Sequence, residues 1–274
     1  MRKIFALAAF TAVFAAVFFA ACATDPMSGR RTMAFISNDE LFPMAFAQHR
    51  EIINASVVVT GTPEAQMLQD VGNRMVAATE MWLARQGHLN QLDGFEWEFT
   101  LLQDNSVNAW AMPGGKIVFY TGILPLTANE AGMAVVMGHE IAHAVLNHGQ
   151  QRMSAAMLQQ VGFASLALLT ANRPEMTQSL ILTSFGVGSA VLGTLPFSRR
   201  HEQEADHLGL ILMAIAGYNP NEAALFWERM EALAGGGGTP QFLSTHPSSA
   251  SRVSDIRANV PEALQTAASF GVHF

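Results

Sequence analysis

The chain has 274 residues with 15 basic and 22 acidic side chains, a net charge of −7 and no basic run, a balance that argues against nucleic-acid binding. Charged residues make up 14% of the chain, well below the usual ~25%, while 15 Met and 18 Phe point to adaptable apolar surfaces, mostly core or partly a groove for unfolded chains. One cysteine, Cys22, excludes an internal disulfide and a cysteine-rich metal site.

At the amino end, Arg2 and Lys3 precede an apolar stretch from Ile4 to Phe19 and then Ala20-Ala21-Cys22. This reads as a lipoprotein signal peptide, residues 1–21, cleaved before Cys22, which is the expected lipidation site. Phe19 departs from the leucine usual at the third position before the cysteine. The other reading is an uncleaved membrane anchor, but about 16 apolar residues are short for a ~30 Å hydrocarbon core. Residues 22–37 then form an N-terminal tether, and 38–274 are long enough for one compact domain with a sizeable core.

Asn38 to Asn54 reads as a helix. Thr62-Pro63-Glu64 opens a second with a cap and a first-turn proline, running to about Gly87. Strands are expected over Phe95 to Leu102, Ala109 to Met112 and Lys116 to Tyr120, with Pro113-Gly114-Gly115 as the turn between the last two. The stretch from Asn108 to Tyr120 is a candidate edge on which an extended peptide, held at Asn108, Ala109, Trp110 and Ala111, adds as a further strand. Alternatively it only covers the core, and Asn108 only fixes its own loop by Asx-type bonding.

His139-Glu140-Ile141-Ala142-His143 is the most informative stretch. At ~100° per residue His143 lies about 40° round a helix from His139, and Glu140 about 100° round on the same flank, so all three converge on one point. Thr127 with Glu130 suggests a capping box and Gly149 a stop, and apolar residues on nearly every side place the helix in a core. Two imidazoles and a carboxylate buried without partners would cost several kcal/mol, and a metal ion satisfies them; core histidines bonded to backbone are the plainer alternative. Histidine at that spacing suits Zn2+, the glutamate between them serving as general base. His148 falls about 180° from His139 on a continued helix and reads as structural or exposed.

A zinc site open to a reactant needs a third protein ligand. The best candidate lies in Ser198-Arg199-Arg200-His201-Glu202-Gln203-Glu204-Ala205-Asp206, where Glu202 and Asp206 share one helical face. Glu202 is read as the ligand and Asp206 as the acceptor that orients a ligating imidazole through its other N–H. Glu204 faces the opposite side and reads as a solvated carboxylate. Between His143 and Glu202 the segments 153–170 and 176–195 are largely apolar but interrupted by Gln, Ser and Thr. They read as two helices packed on the domain or dipping towards a membrane.

The tail begins with a helix from about Asn221 to Ala234. Gly235 to Gly238 lead into Thr239-Pro240 and His246-Pro247, which suits either a movable latch or a flexible linker followed by a turn histidine. Ser249 to Asn259 reads as a short helix carrying Arg252 and Arg257; on sequence alone Arg252 is equally a surface arginine.

Taken in order, Asp25-Pro-Met-Ser-Gly-Arg-Arg, Asn108-Ala-Trp-Ala-Met-Pro-Gly-Gly, the HExxH helix, Ser198-Arg199 through Glu202 to Ala205-Asp206, and Ser244-Thr245-His246-Pro247 with Arg252 resemble the HtpX-like, CAAX-prenyl-protease-type zinc metallopeptidases. Within that family the chain is most similar to the periplasmic lipoprotein and mitochondrial Oma-type branches. The resemblance implies an α+β, mainly helical zincin-type metalloprotease (gluzincin) domain with a small β-sheet beside the HExxH helix. It implies zinc on His139, His143 and Glu202, Glu140 as general base, Asp206 as a supporting residue paired with Arg252, and His246 on a loop that supplies an extra ligand in related enzymes. The expected function is a membrane-tethered zinc endopeptidase acting on misfolded or misassembled envelope proteins, in the bacterial periplasm and anchored to the outer membrane by lipid. The alternative is a chaperone or outer-membrane assembly factor with latent protease activity.

Overall fold

In the computed structural model, the described residues are 22–24, 30–155, 197–236 and 239–274. The expected signal peptide and nearly all of the apolar segments 153–170 and 176–195 lie outside them. Among the described residues, no helix is long and apolar enough to cross a membrane.

Two short strands, β1 (Cys22–Thr24) and β2 (Arg31–Met33), pair antiparallel, Cys22 opposite Met33. Helix α1 (Asn38–Asn54) starts at a capping box in which Ser37 accepts from Glu40 N and the Glu40 carboxylate accepts from Ser37 N. In α2 (Pro63–Gln86) Thr62 caps the N-terminus and Gly87, at φ 75, ends the helix in the left-handed region.

Strands β3 (Glu98–Leu102), β4 (Ala109–Met112) and β5 (Lys116–Tyr120) form a mixed sheet in the order β3-β5-β4. The β4–β5 turn contains Gly114 and Gly115 at φ 83 and 93, a conformation that only glycine adopts without strain. β3 begins later than expected from Phe95. Phe95 and Trp97 instead pack their rings 5.0 Å apart before the strand begins.

The segment before the HExxH helix differs from the expected capping box. Thr127 closes a short helix α3 (Leu124–Thr127), its hydroxyl donating to Leu124 O. Ala128 turns at φ 63, and Asn129 caps α4 (Glu130–Val145) through its side chain and Gly132 N at 2.9 Å. The helix ends at Leu146 rather than Gly149, because Asn147 takes φ 53 and restarts the chain as a second helical run over 148–155. As expected of a helix apolar all round, every residue from Gly132 to Val145 is buried.

Among the described residues from 197 onward, four helices follow: α5 (Arg199–Ile215), α6 (Glu222–Gly235), α7 (Gln241–Thr245) and α8 (Arg252–Ser269). α8 runs ten residues beyond the expected Asn259 and carries Pro261 inside it. A proline there removes one backbone hydrogen bond, but Val260, Ala263 and Ala267 on the same helix stay buried, and that apolar face holds the helix together across it. The centre of the core is α4, packed against α2, α5, α6 and β4. The architecture is thus α+β and mainly helical, with one small sheet beside the HExxH helix.

Candidate metal centre

His139 and His143 project from neighbouring turns of α4 with Nε2 atoms 3.0 Å apart. Glu202, in the first turn of α5, puts Oε2 3.4 Å from Nε2 of His139 and Oε1 3.4 Å from Nε2 of His143. His246, just past α7, adds Nδ1 at 3.1 Å from His139 Nε2 and 3.2 Å from Glu202 Oε1. All four residues are buried.

These separations bear on whether the site fits zinc. Arms of about 2.0–2.1 Å to nitrogen and oxygen span tetrahedral edges of about 3.3–3.4 Å, so the donor atoms already stand near the required spacing. The proton inventory agrees. His139 Nδ1 lies 2.9 Å from Asp206 Oδ1, a carboxylate that only accepts, so this Nδ1 carries a proton and Nε2 is the nitrogen turned to the cluster, a lone pair once a metal takes the place of its proton. A cluster of imidazole nitrogens and a carboxylate buried together calls for a cation.

Behind the cluster, Arg252 Nη2 donates to Asp206 Oδ1 at 2.8 Å, Nη1 lies 3.2 Å from Glu202 Oε2, and the guanidinium stacks 3.4 Å from the centroid of Trp227. The arginine that sequence left open is therefore buried, paired and fixed in orientation.

Glu140 points to the same space. One oxygen is held by the backbone N–H of Ala111, while Oε1 has no hydrogen-bond partner among the described residues and lies 3.4 Å from His246 Nε2. Burial raises the Glu140 carboxyl above its ordinary value. For His139, burial works against charge, but the hydrogen bonds and charges of Asp206 and Glu202 outweigh it and raise the imidazole to about 9, so without a metal Nε2 holds a proton that metal binding displaces. Burial also disfavours charge on Glu202, yet His246 and hydrogen bonds from all three imidazoles hold it well below the carboxylate range. His143 is held well below its usual value by burial and by the charge on His139.

β4 is an edge strand, as the order β3-β5-β4 requires. Tyr120 N donates to Asn108 O, so by the alternation of an antiparallel ladder Trp110 and Met112 face β5 while Ala109 and Ala111 direct their backbone groups outward. The Ala111 N–H on Glu140 is one of these outward groups. Asn108 is fully buried, and its amide has no partner among the described residues, which argues against an Asx-type role. The His246 segment is pinned across this region by two backbone bonds, Phe242 N to Val107 O and Phe197 N to Thr245 O, both 3.0 Å.

Two residues read differently in sequence also come to the site. His148 is fully buried rather than turned away, with Nδ1 2.9 Å from Nδ1 of His143, because the break at Asn147 redirects the chain that a continued helix would have carried past. Glu204 is not a solvated carboxylate: it is 22% exposed and paired with His148 and Arg30. No sequence spacing signals this, since the contact spans two helices and the amino-terminal segment. Cys22 is part of β1, opposite Met33.

The pattern of peptidase family M48 matches residues 64–260 of the chain. The chain belongs to peptidase family M48. The M48 match covers β4, both histidines of α4, Glu202 and His246. Mitochondrial metalloendopeptidase OMA1 of Schizosaccharomyces pombe is 32% identical over 244 residues, 87% of this chain and 66% of the relative. The protein of that name in Saccharomyces cerevisiae is 35% identical over 179 residues, 63% of this chain and 49% of the relative. Beta-barrel assembly-enhancing protease of Escherichia coli is 27% identical over 241 residues, 85% of this chain and 46% of the relative. The M48 chain thus spans about half to two thirds of the length of these relatives.

Proposed function

We propose that the chain is a zinc-dependent endopeptidase, with His139, His143 and Glu202 holding the metal and Glu140 as general base. The observation that carries this reading is the convergence of two imidazole nitrogens and a carboxylate beside a buried glutamate whose Oε1 has no hydrogen-bond partner among the described residues. When bound, zinc acidifies a water and polarises the scissile carbonyl. Glu140, with its affinity for protons raised by burial, takes the proton of the attacking water at Oε1 and delivers it to the leaving amine. The outward backbone groups of Ala109, with the carbonyl of Ala111, bind the substrate as an added strand, which makes binding largely independent of side-chain sequence. Asp206, fixed by Arg252, holds the proton on His139 Nδ1.

The substrates proposed are misfolded or misassembled envelope proteins, and the enzyme is tethered through lipid on Cys22 to the bacterial outer membrane, facing the periplasm. The names of the relatives, a mitochondrial metalloendopeptidase and a protease that enhances β-barrel assembly, support a quality-control role. His246 favours a second state of the same site. Its ring occupies the space between the cluster and Glu140, which suits a latent protease that holds clients in a chaperone or assembly role until the loop moves.

Cleavage of an unfolded casein by the full chain tests the reading. Loss of cleavage on chelation and in Glu140→Gln is expected, and cleavage indifferent to both would refute it. Labelling with a palmitate analogue tests the tether, since the absence of label on Cys22 removes the lipid anchor.

A further inference from the structure

We propose that His148 and Glu204 form a positioning relay that fixes His143 in the tautomer able to bind zinc. The inference rests on His143 as a zinc ligand and goes beyond it, because neither relay residue offers an atom to the ligand cluster.

The relay is a run of short contacts leading away from the cluster. Nδ1 of His148 lies 2.9 Å from Nδ1 of His143, and its Nε2 lies 3.1 Å from Oε2 of Glu204. Arg30 Nη2 donates to that same oxygen at 3.0 Å. The His148 ring is held in plane by His201, stacked at 4.4 Å with 22° between the rings.

Donor and acceptor chemistry leaves one neutral assignment. A carboxylate only accepts, so the His148 nitrogen facing Glu204 carries the proton. Neutral His148 then has a bare Nδ1, the atom that faces His143. Two bare ring nitrogens at this distance repel, so His143 supplies the hydrogen from its own Nδ1. That leaves Nε2 of His143 bare and aimed at the cluster, 3.0 Å from Nε2 of His139. The opposite tautomer places the proton on Nε2 and closes it to a metal.

The two histidines of α4 are therefore set by two different carboxylates on α5. Asp206 acts on His139 directly, and Glu204 acts on His143 through His148. Both carboxylates end on an arginine, Arg252 for one and Arg30 for the other.

Zinc affinity of the full chain, measured by competition with a chromogenic chelator, tests the relay without a turnover assay. His143→Ala comes first: if it binds zinc as tightly as wild type, the ligand reading fails regardless of His148. With that loss in hand, His148→Leu is expected to weaken zinc by ~10- to 100-fold and Glu204→Gln by about tenfold. His148→Asn keeps an acceptor at the δ position and should recover most of the loss; an Asn variant as weak as Leu refutes the acceptor role. In the His148→Leu background Glu204→Gln should add nothing, because its influence on His143 passes through His148, whereas a merely structural carboxylate would add its own cost. If His148→Leu does not fold, Glu204→Gln decides alone. Affinity in that variant within about twofold of wild type, with His143→Ala defective, overturns the relay.

Discussion

Gly138 and Gly209 meet backbone to backbone where α4 crosses α5. A Cβ on Gly138 would stand 2.9 Å from the Gly209 carbonyl oxygen, and one on Gly209 would stand 3.0 Å from both Gly138 C and His139 N. His139 follows Gly138 directly, and Glu202 lies about two turns before Gly209. The crossing therefore brings Glu202 Oε2 to 3.4 Å from His139 Nε2.

Gly138→Ala is informative because its sign is reversed by this contact. In an open helix the change stabilises by about 1 kcal/mol. Here overpacking is expected to cost ~1–3 kcal/mol and to weaken zinc as the helices separate. Chemical denaturation and chelator competition measure the two effects; a stabilised variant with unaltered zinc affinity would contradict the tight crossing.

Glu140→Gln and His139→Ala separate chemistry from metal binding. The first should retain zinc and lose turnover by ~10²- to 10⁴-fold, the second should lose zinc. Metal content of the purified variants and peptide cleavage check both. Near-normal cleavage by Glu140→Gln, or full zinc stoichiometry in His139→Ala, would remove the corresponding role.

The Asp206–Arg252 pair makes acid stability a readout of the site. Burial raises the Asp206 carboxyl, but Arg252 and the hydrogen bond to His139 outweigh it and hold it below the ordinary 3.8. A depressed folded pKa means that the unfolded chain binds the proton more readily. The stabilisation is complete above the unfolded pKa and drains away as pH falls through the folded one. Asp206→Asn, which removes one of the two carboxylates facing the buried Arg252 and leaves Glu202, is expected to cost at most ~3–5 kcal/mol at neutral pH. The gap to wild type should narrow below about pH 4. Urea denaturation in chelator follows this, and a gap that stays constant into acid would refute the assignment.

His246→Ala should raise casein cleavage, because it clears the space between Glu140 and the cluster. Steady-state turnover at matched zinc occupancy is the measurement. A fall in turnover would assign His246 to the chemistry and end the latch reading.

Local signals made much of the molecule legible. Thr62-Pro63 with Gly87 bounds α2 because caps and left-handed glycines act within a few residues. The HExxH spacing reported one face of one helix, and Glu202 with Asp206 reported one face of another. The misreadings fall where a short-range signal met a competing one. Thr127 ends a preceding helical turn instead of capping α4, and α8 continues through Pro261 because its buried face outweighs one lost hydrogen bond.

The sequence by itself determined which side chains are able to hold a metal, since helical periodicity fixes the faces of α4 and α5 without knowledge of their neighbours. Tertiary structure alone decided the distances, because these depend on where the two helices cross at Gly138 and Gly209. It also decided what lies behind each histidine. The left-handed turn at Asn147 sends His148 back towards His143, and the docking of Arg30 and α5 supplies Glu204; such contacts join residues far apart in the chain, and no local pattern encodes them.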